Sequence, residues 1–144
     1  MSPLIAFDAD VLTYAGSPTN SVGVAVAKLF QDQDGLPAGV GSVLLLTEVL
    51  SKPMREDDDS AEVATLLGLL SHLELLDFDQ AAARLALALS VEYGLRAADA
   101  AHLATAIASG ADYFLTNNRK DFPKSIVEID VIYPQNLAQL EDLT

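Results

Sequence analysis

The chain has 144 residues, 51 % of them hydrophobic and 20 % charged, which suits one globular domain spanning 1–144 and argues against two full domains or long disorder. It has no cysteine, so disulfides and thiolate metal sites are excluded, and His72 and His102 with carboxylates make a poor set for structural zinc. Its net charge of −13, from 21 acids against 8 bases, argues against broad sequence-independent coating of nucleic acid but leaves room for an acidic metal site that handles phosphate.

The amino terminus lacks the basic region and long apolar run of a secretion signal. No stretch of about 18 uncharged apolar residues is present. The expectation is a soluble cytoplasmic protein with no membrane association. Residues 4–7 (LIAF) read as a buried strand that runs into a loop at Asp8-Ala9-Asp10. Ser17 to Asn20 read as a turn, residues 22–31 as a helix, and Gly35, Pro37, Gly39 and Gly41 as a loop. A second strand is expected at 42–46, then a helix capped by Thr47, carrying Glu48 and ended by Pro53. The acidic run Glu56–Asp59 reads as a solvated turn before a helix at about 60–71. His72 at the end of that helix reads as structural.

A third strand is expected at 73–78 and an Ala/Leu-rich helix at 80–93, capped by Asp79 and stopped by Gly94. The stripe from Ala81 to Leu89 suits core or dimer contact. A helix over 99–109 stops at Gly110. Residues 113–115 form a fourth strand, 126–133 a fifth, and Pro134 opens a short last helix. Strands alternating with helices predict an α/β fold: a parallel sheet with helices on both faces.

Ligands in such sheets bind beyond the carboxyl ends of the strands. Asp8 ends the first strand, Glu48 follows the second, Asp121 follows the fourth, and Asp99 opens the preceding helix. If these ends meet, four carboxylates face one cleft. Like charges at that range repel unless protons or cations neutralise them. Hard oxygen ligands select Mg²⁺ or Mn²⁺, ions that activate water and offset charge on a phosphate. Six of the eight basic residues lie within seven positions of a candidate acid: Lys52, Arg55, Arg96, Arg119, Lys120 and Lys124. They suit either a phosphate backbone or ordinary surface ion pairs. Lys52, four residues after Glu48, is a candidate partner for that acid. Asp10 reads as a helix cap or a support to the site, and His102 as a packed, satisfied histidine.

Four segments, in order, resemble the motifs of PIN-domain nucleases. They are Ile5-Ala6-Phe7-Asp8-Ala9-Asp10, Leu46-Thr47-Glu48-Val49-Leu50, Ala97 to Ala106 around Asp99, and Leu115-Thr116-Asn117-Asn118-Arg119-Lys120-Asp121-Phe122. The resemblance implies a three-layer α/β/α fold with a five-stranded parallel sheet and Mg²⁺- or Mn²⁺-dependent cleavage of RNA. Many small members resemble this chain and are VapC-type toxins that form homodimers and bind an antitoxin whose C-terminal segment enters the acidic cleft. Carried over, Asp8, Glu48 and Asp99 hold metal. Asn118 stands where many members have Asp, so Asp121 is the candidate fourth acid, and Thr116 positions water or phosphate.

Two other readings fit parts of the chain. Asp8-Ala9-Asp10 matches the strand-end motif of haloacid-dehalogenase-like phosphatases, but the paired late aspartates of that family are missing after the fourth strand. A PIN-like binding module with a weakened site would also accommodate Asn118 and the net charge.

Overall fold

A computed structural model describes residues 2–17, 19–31 and 35–141. Strand β1 (Ile5–Phe7) passes directly into helix α1 (Ala9–Gly16), with no loop between them. Asp8 makes this possible: its backbone is extended and its side chain accepts the adjacent Ala9 N–H at 2.9 Å, which satisfies the first free donor of the helix. Helix α2 (Ser21–Lys28) is capped by Asn20, whose side chain accepts from Gly23 N–H three residues on, and it ends short of the expected Gln31. Of the expected turn at 17–20, Pro18 lies outside the described residues.

The second strand departs from the sequence reading. Strand β2 is Gly39–Ser42, and the two glycines taken for loop punctuation lie inside it. A Cβ added to Gly39 would sit 2.3 Å from the Ile5 carbonyl oxygen, and one added to Gly41 would sit 2.4 Å from Leu45 Cδ1. Glycine is needed there for close packing against β1 and the following helix. That helix, α3 (Leu45–Glu56), starts before Thr47, and its capping residue, Leu44, makes no side-chain bond. Pro53 does not end it. The ring removes one backbone donor, yet Asp57 N–H still reaches the Pro53 carbonyl at 3.0 Å and the helix closes one turn later.

Helix α4 (Ala61–Ser71) begins at Ser60, which accepts the Val63 N–H. The acidic run before it is an exposed turn. Strand β3 (Leu73–Leu76) is followed by α5 (Gln80–Tyr93), capped by Asp79 at 2.8 Å from Ala82 N and stopped by Gly94 at φ +67°, both as the sequence implied. Helix α6 (Ala97–Ala108) starts two residues before Asp99. Strand β4 (Tyr113–Leu115) agrees with expectation, whereas β5 (Asp130–Ile132) has three residues, not eight. Ile126 and Ile129 are buried outside the sheet, so their alternation reflects packing without pairing. A 3₁₀ turn (Pro134–Asn136) leads into α7 (Leu137–Glu141).

All pairings are parallel, in the order β3-β2-β1-β4-β5. Side-chain alternation along the strands fixes the two faces. Ile5, Phe7, Leu115 and Ile132 point into a core built with α1, α2, α3, α4 and α7. Ala6, Val40, Phe114 and Val131 point into a second core built with α5 and α6. Right-handed crossovers require this division. The chain steps one way from β1 to β3, then reverses to insert β4 beside β1. The β4–β5 connection lies on the second face, anchored by Phe122, whose ring meets Phe114 edge-on at 5.0 Å. The reversal opens a crevice between the carboxyl ends of β1 and β4, where doubly wound sheets bind their ligands.

Candidate functional site

Asp8 stands at that crevice. Its N–H donates to Leu115 O at 3.0 Å, which locks the end of β1 to the end of β4. Its carboxylate is buried and both oxygens are engaged: one accepts from Ala9 N–H, the other from the Thr116 hydroxyl at 2.8 Å. Burial pushes its pKa up to about 6, against the opposing pull of Thr116 and of His102.

Thr116 is fully buried. While donating to Asp8 its hydroxyl accepts the Asn118 N–H at 3.1 Å. Asp10, in the first turn of α1, is not a cap. Its carboxylate accepts the Asn117 N–H at 3.1 Å, so it ties α1 to the segment after β4. Burial, and then the neighbouring Asp8 charge, push the Asp10 pKa up to about 7.

Asn118 and Asp121 form a reciprocal pair. The Asn118 amide nitrogen donates to the Asp121 carboxylate at 2.9 Å, and the Asn118 carbonyl accepts the Asp121 N–H at 3.1 Å. The residue that stands in place of an acid therefore holds the acid three positions on. Asp99, in the first turn of α6, is half-buried. Its pKa is raised by burial first, then by the charges of Asp121 and Glu48, while Arg96 and His102 pull it down. Asp99 thus feels the charges of both Asp121 and Glu48.

Glu48 sits in the first turn of α3, and its partner is not Lys52. The His102 imidazole binds it through Nε2. His102 is buried on α6, and its other ring nitrogen, Nδ1, has no partner. An orphaned lone pair costs less than an orphaned N–H, so the geometry suits a proton on Nε2 donated to Glu48. Burial alone would lower the His102 pKa, but the Glu48 bond and the charges of Asp8, Glu48 and Asp99 outweigh it and raise the value. The same hydrogen bond lowers the Glu48 pKa against the effect of burial. His102 is thus more than core packing. The only sequence signal was its position one helical turn after Asp99; its partner lies 54 residues away.

Among the described residues no Lys or Arg forms an ion pair with an acid within 4.0 Å, so the ordinary-salt-bridge reading of the cations does not hold there. Nor do the site acids crowd onto one point. Among the described residues, the trio with carboxylate oxygens within 4.8 Å of one another is Asp57, Asp58 and Asp59, an exposed run at the end of α3. At the crevice Asp8, Asp10, Asp121 and Glu48 are each held by a partner of their own: Thr116, Asn117, Asn118 and His102 respectively.

The pattern of the PIN domain family matches residues 5–125. A toxin–antitoxin complex from Klebsiella pneumoniae contains a chain similar to this one at 26 % identity and a TM-score of 0.68, covering 91 % of this chain and 97 % of that one. VapBC2 from Rickettsia felis, bound to a DNA fragment from its promoter, shares the fold at 20 % identity and a TM-score of 0.69, covering 90 % of this chain and 98 % of that one. No curated protein matches the sequence. The family match sets aside the phosphatase alternative.

Proposed function

Because the chain belongs to the PIN-domain family, we propose that it is a divalent-metal-dependent endoribonuclease that hydrolyses RNA phosphodiester bonds, and the toxin of a type II toxin–antitoxin pair. The observation that supports this reading is that Asp8 ends β1 at the crevice, locked to the end of β4, while Asp99 lies within electrostatic reach of Asp121 and Glu48. Burial first, and then the charges of Asp121 and Glu48, raise the pKa of Asp99. The donor set fits a hard cation: every candidate ligand is a carboxylate oxygen, and among the described residues no Lys or Arg lies within 4.0 Å of one, His102 on Glu48 being the basic contact.

Asp8, Glu48, Asp99 and Asp121 would hold Mg²⁺ or Mn²⁺. Bound there, such an ion supplies Lewis acidity that favours ionised water and offsets charge on the phosphate. The chain's own residues do the positioning. Thr116 keeps the Asp8 carboxylate in one orientation, Asn118 does so for Asp121, and His102 does so for Glu48. A cognate antitoxin as partner, a homodimer and a cytoplasmic setting belong to the same reading. The Klebsiella complex supports the antitoxin. No helix of the described residues is long and apolar enough to cross a membrane.

The test is cleavage of a mixed RNA panel with Mn²⁺ or Mg²⁺, with EDTA, and with Asp99→Asn alongside. Metal-dependent cutting that disappears in the variant is expected. One observation favours a second reading, a PIN-like binding module with weakened catalysis: Glu48 is already engaged by His102. A folded, inhibitor-free protein that cuts nothing and gains no thermal stability from Mn²⁺ would establish that alternative.

A further inference from the structure

Two cations of this acidic chain meet on one aromatic ring. The Arg119 guanidinium carbon lies 4.1 Å from the centre of the Tyr133 ring, and Lys124 Nζ lies 5.4 Å from it. Tyr133 is buried, and its hydroxyl donates to Phe122 O at 2.8 Å, so the ring cannot swing away. Arg119 is fixed a second time by a 2.9 Å bond from its guanidinium to Gln135. With 21 acids in the chain, neither cation is paired with a carboxylate of the described residues. Two like charges held against one ring without a counter-ion repel one another, and an anion that reaches both relieves the repulsion.

The location is as informative as the charge. Arg119 lies between Asn118 and Asp121, whose side chains are locked together. The same short segment is pinned to Asp10 through Asn117 and to Thr116 through Asn118. The guanidinium therefore has a fixed offset from the acids of the crevice. By contrast, Arg55 lies seven residues beyond Glu48, about 10 Å farther along the α3 axis.

We propose that Arg119 and Lys124, set on Tyr133 beside the acidic crevice, form a subsite for the phosphodiester backbone of a single-stranded RNA on the β5 side of the cleft. This rests on the ribonuclease reading above. Arg119 makes the principal contact. One of its N–H groups is used on Gln135; the others present a planar fork suited to a phosphate, already immobilised by the ring. Lys124 adds a point charge to the next phosphate along. The subsite fixes where the strand lies relative to Asp99 and Asp121, and so selects which bond is presented.

The experiment is fluorescence anisotropy of a labelled single-stranded RNA 12-mer of mixed sequence, titrated across KCl concentrations, all in the Asp99→Asn background. Arg119→Gln, Lys124→Gln, Arg119→Lys and, as a charge-matched control on α5, Arg84→Gln are compared. Arg119→Gln should weaken binding about tenfold at low salt, the scale of one charge-assisted contact. It should also flatten the plot of log affinity against log salt by about 0.7, the share of one single-strand phosphate. Arg119→Lys should keep the slope and lose part of the affinity, because the charge remains and the fork does not. Arg84→Gln should stay within threefold of the parent.

Arg119→Gln indistinguishable from Arg84→Gln overturns the subsite, and if the parent cuts RNA the ribonuclease reading survives that result. Binding that depends on Arg119 in a protein that never cuts RNA upholds the subsite and overturns the cleavage. A poly-glutamate 12-mer that binds as tightly as RNA, with equal dependence on Arg119, overturns the assignment to a nucleic-acid strand. The slope separates lost contact from lost fold, since a destabilised variant binds less without releasing fewer ions.

Discussion

Asp10→Asn tests the electrostatics of the crevice with the least geometric disturbance. The Asp10 carboxylate accepts one backbone N–H, from Asn117, and an asparagine carbonyl can accept the same bond. The charge is what changes. In the folded state the Asp10 pKa stands at about 7, raised from 3.8. A raised acid binds its proton more tightly when folded than when unfolded. Below pH 3.8 both states are protonated and the group has no net effect; as pH climbs from 3.8 towards 7 the unfolded state alone gives up its proton and is favoured by doing so, so stability falls.

At 1.36 kcal/mol per unit, a shift of roughly three units bounds the cost at about 4 kcal/mol above pH 8. Part of that is repulsion shared with Asp8, so about 2–4 kcal/mol should be recovered by Asp10→Asn at pH 8 without metal. At roughly 3 °C per kcal/mol for a chain of this size, the thermal midpoint should rise by about 6–12 °C at pH 8 and by almost nothing at pH 4. Thermal unfolding followed by circular dichroism in EDTA, from pH 4 to pH 8.5, reads this directly. A gain that does not vary with pH, or a loss at pH 8, would refute the claim that uncompensated charge burdens this site.

Other outcomes follow from single contacts. Asp8→Asn should stabilise less than Asp10→Asn, because both Asp8 oxygens accept hydrogen bonds and an amide supplies one acceptor; paired unfolding curves at pH 8 check the order. Thr116→Val removes the donor to Asp8 and the acceptor for Asn118 N–H and should cost about 2–3 kcal/mol in urea unfolding at pH 7. Gly39→Ala should collapse the yield of folded protein, since its Cβ would meet backbone at 2.3 Å. Gly68→Ala, with open space around it inside α4, should instead stabilise by about 0.5–1 kcal/mol in the same assay. Mn²⁺ should raise the thermal midpoint of the parent protein by several degrees at saturation and leave Asp99→Asn unmoved.

Much of the architecture is legible in the sequence because its signals are local. Asp79 and Gly94 bracket α5 through a cap and a left-handed stop, chemistry that two residues carry alone. The errors fall where a distant neighbour decides. Gly39 and Gly41 look like a loop until β1 and Leu45 are known to press against them. Pro53 looks like a helix end, and only the surviving bond to Asp57 shows otherwise. At the site, carboxylates standing after apolar strands were visible as anomalies in the text of the chain. Their holders were not: His102 lies 54 residues from Glu48, and Thr116 lies 108 from Asp8. Lys52 had the nearer position in sequence, and the buried imidazole took the contact.

The reversal of strand order has a consequence for the order of events in synthesis. Strand β4 is flanked by β1, the first strand made, and β5, the last. Asp8, already translated, has no hydroxyl to hold it until residue 116 has emerged, and Asp121 arrives later still. A growing chain can assemble β1, β2 and β3 with their helices, yet the crevice then has one wall. The charged arrangement is therefore set only after residue 121 has been made, more than a hundred residues after Asp8.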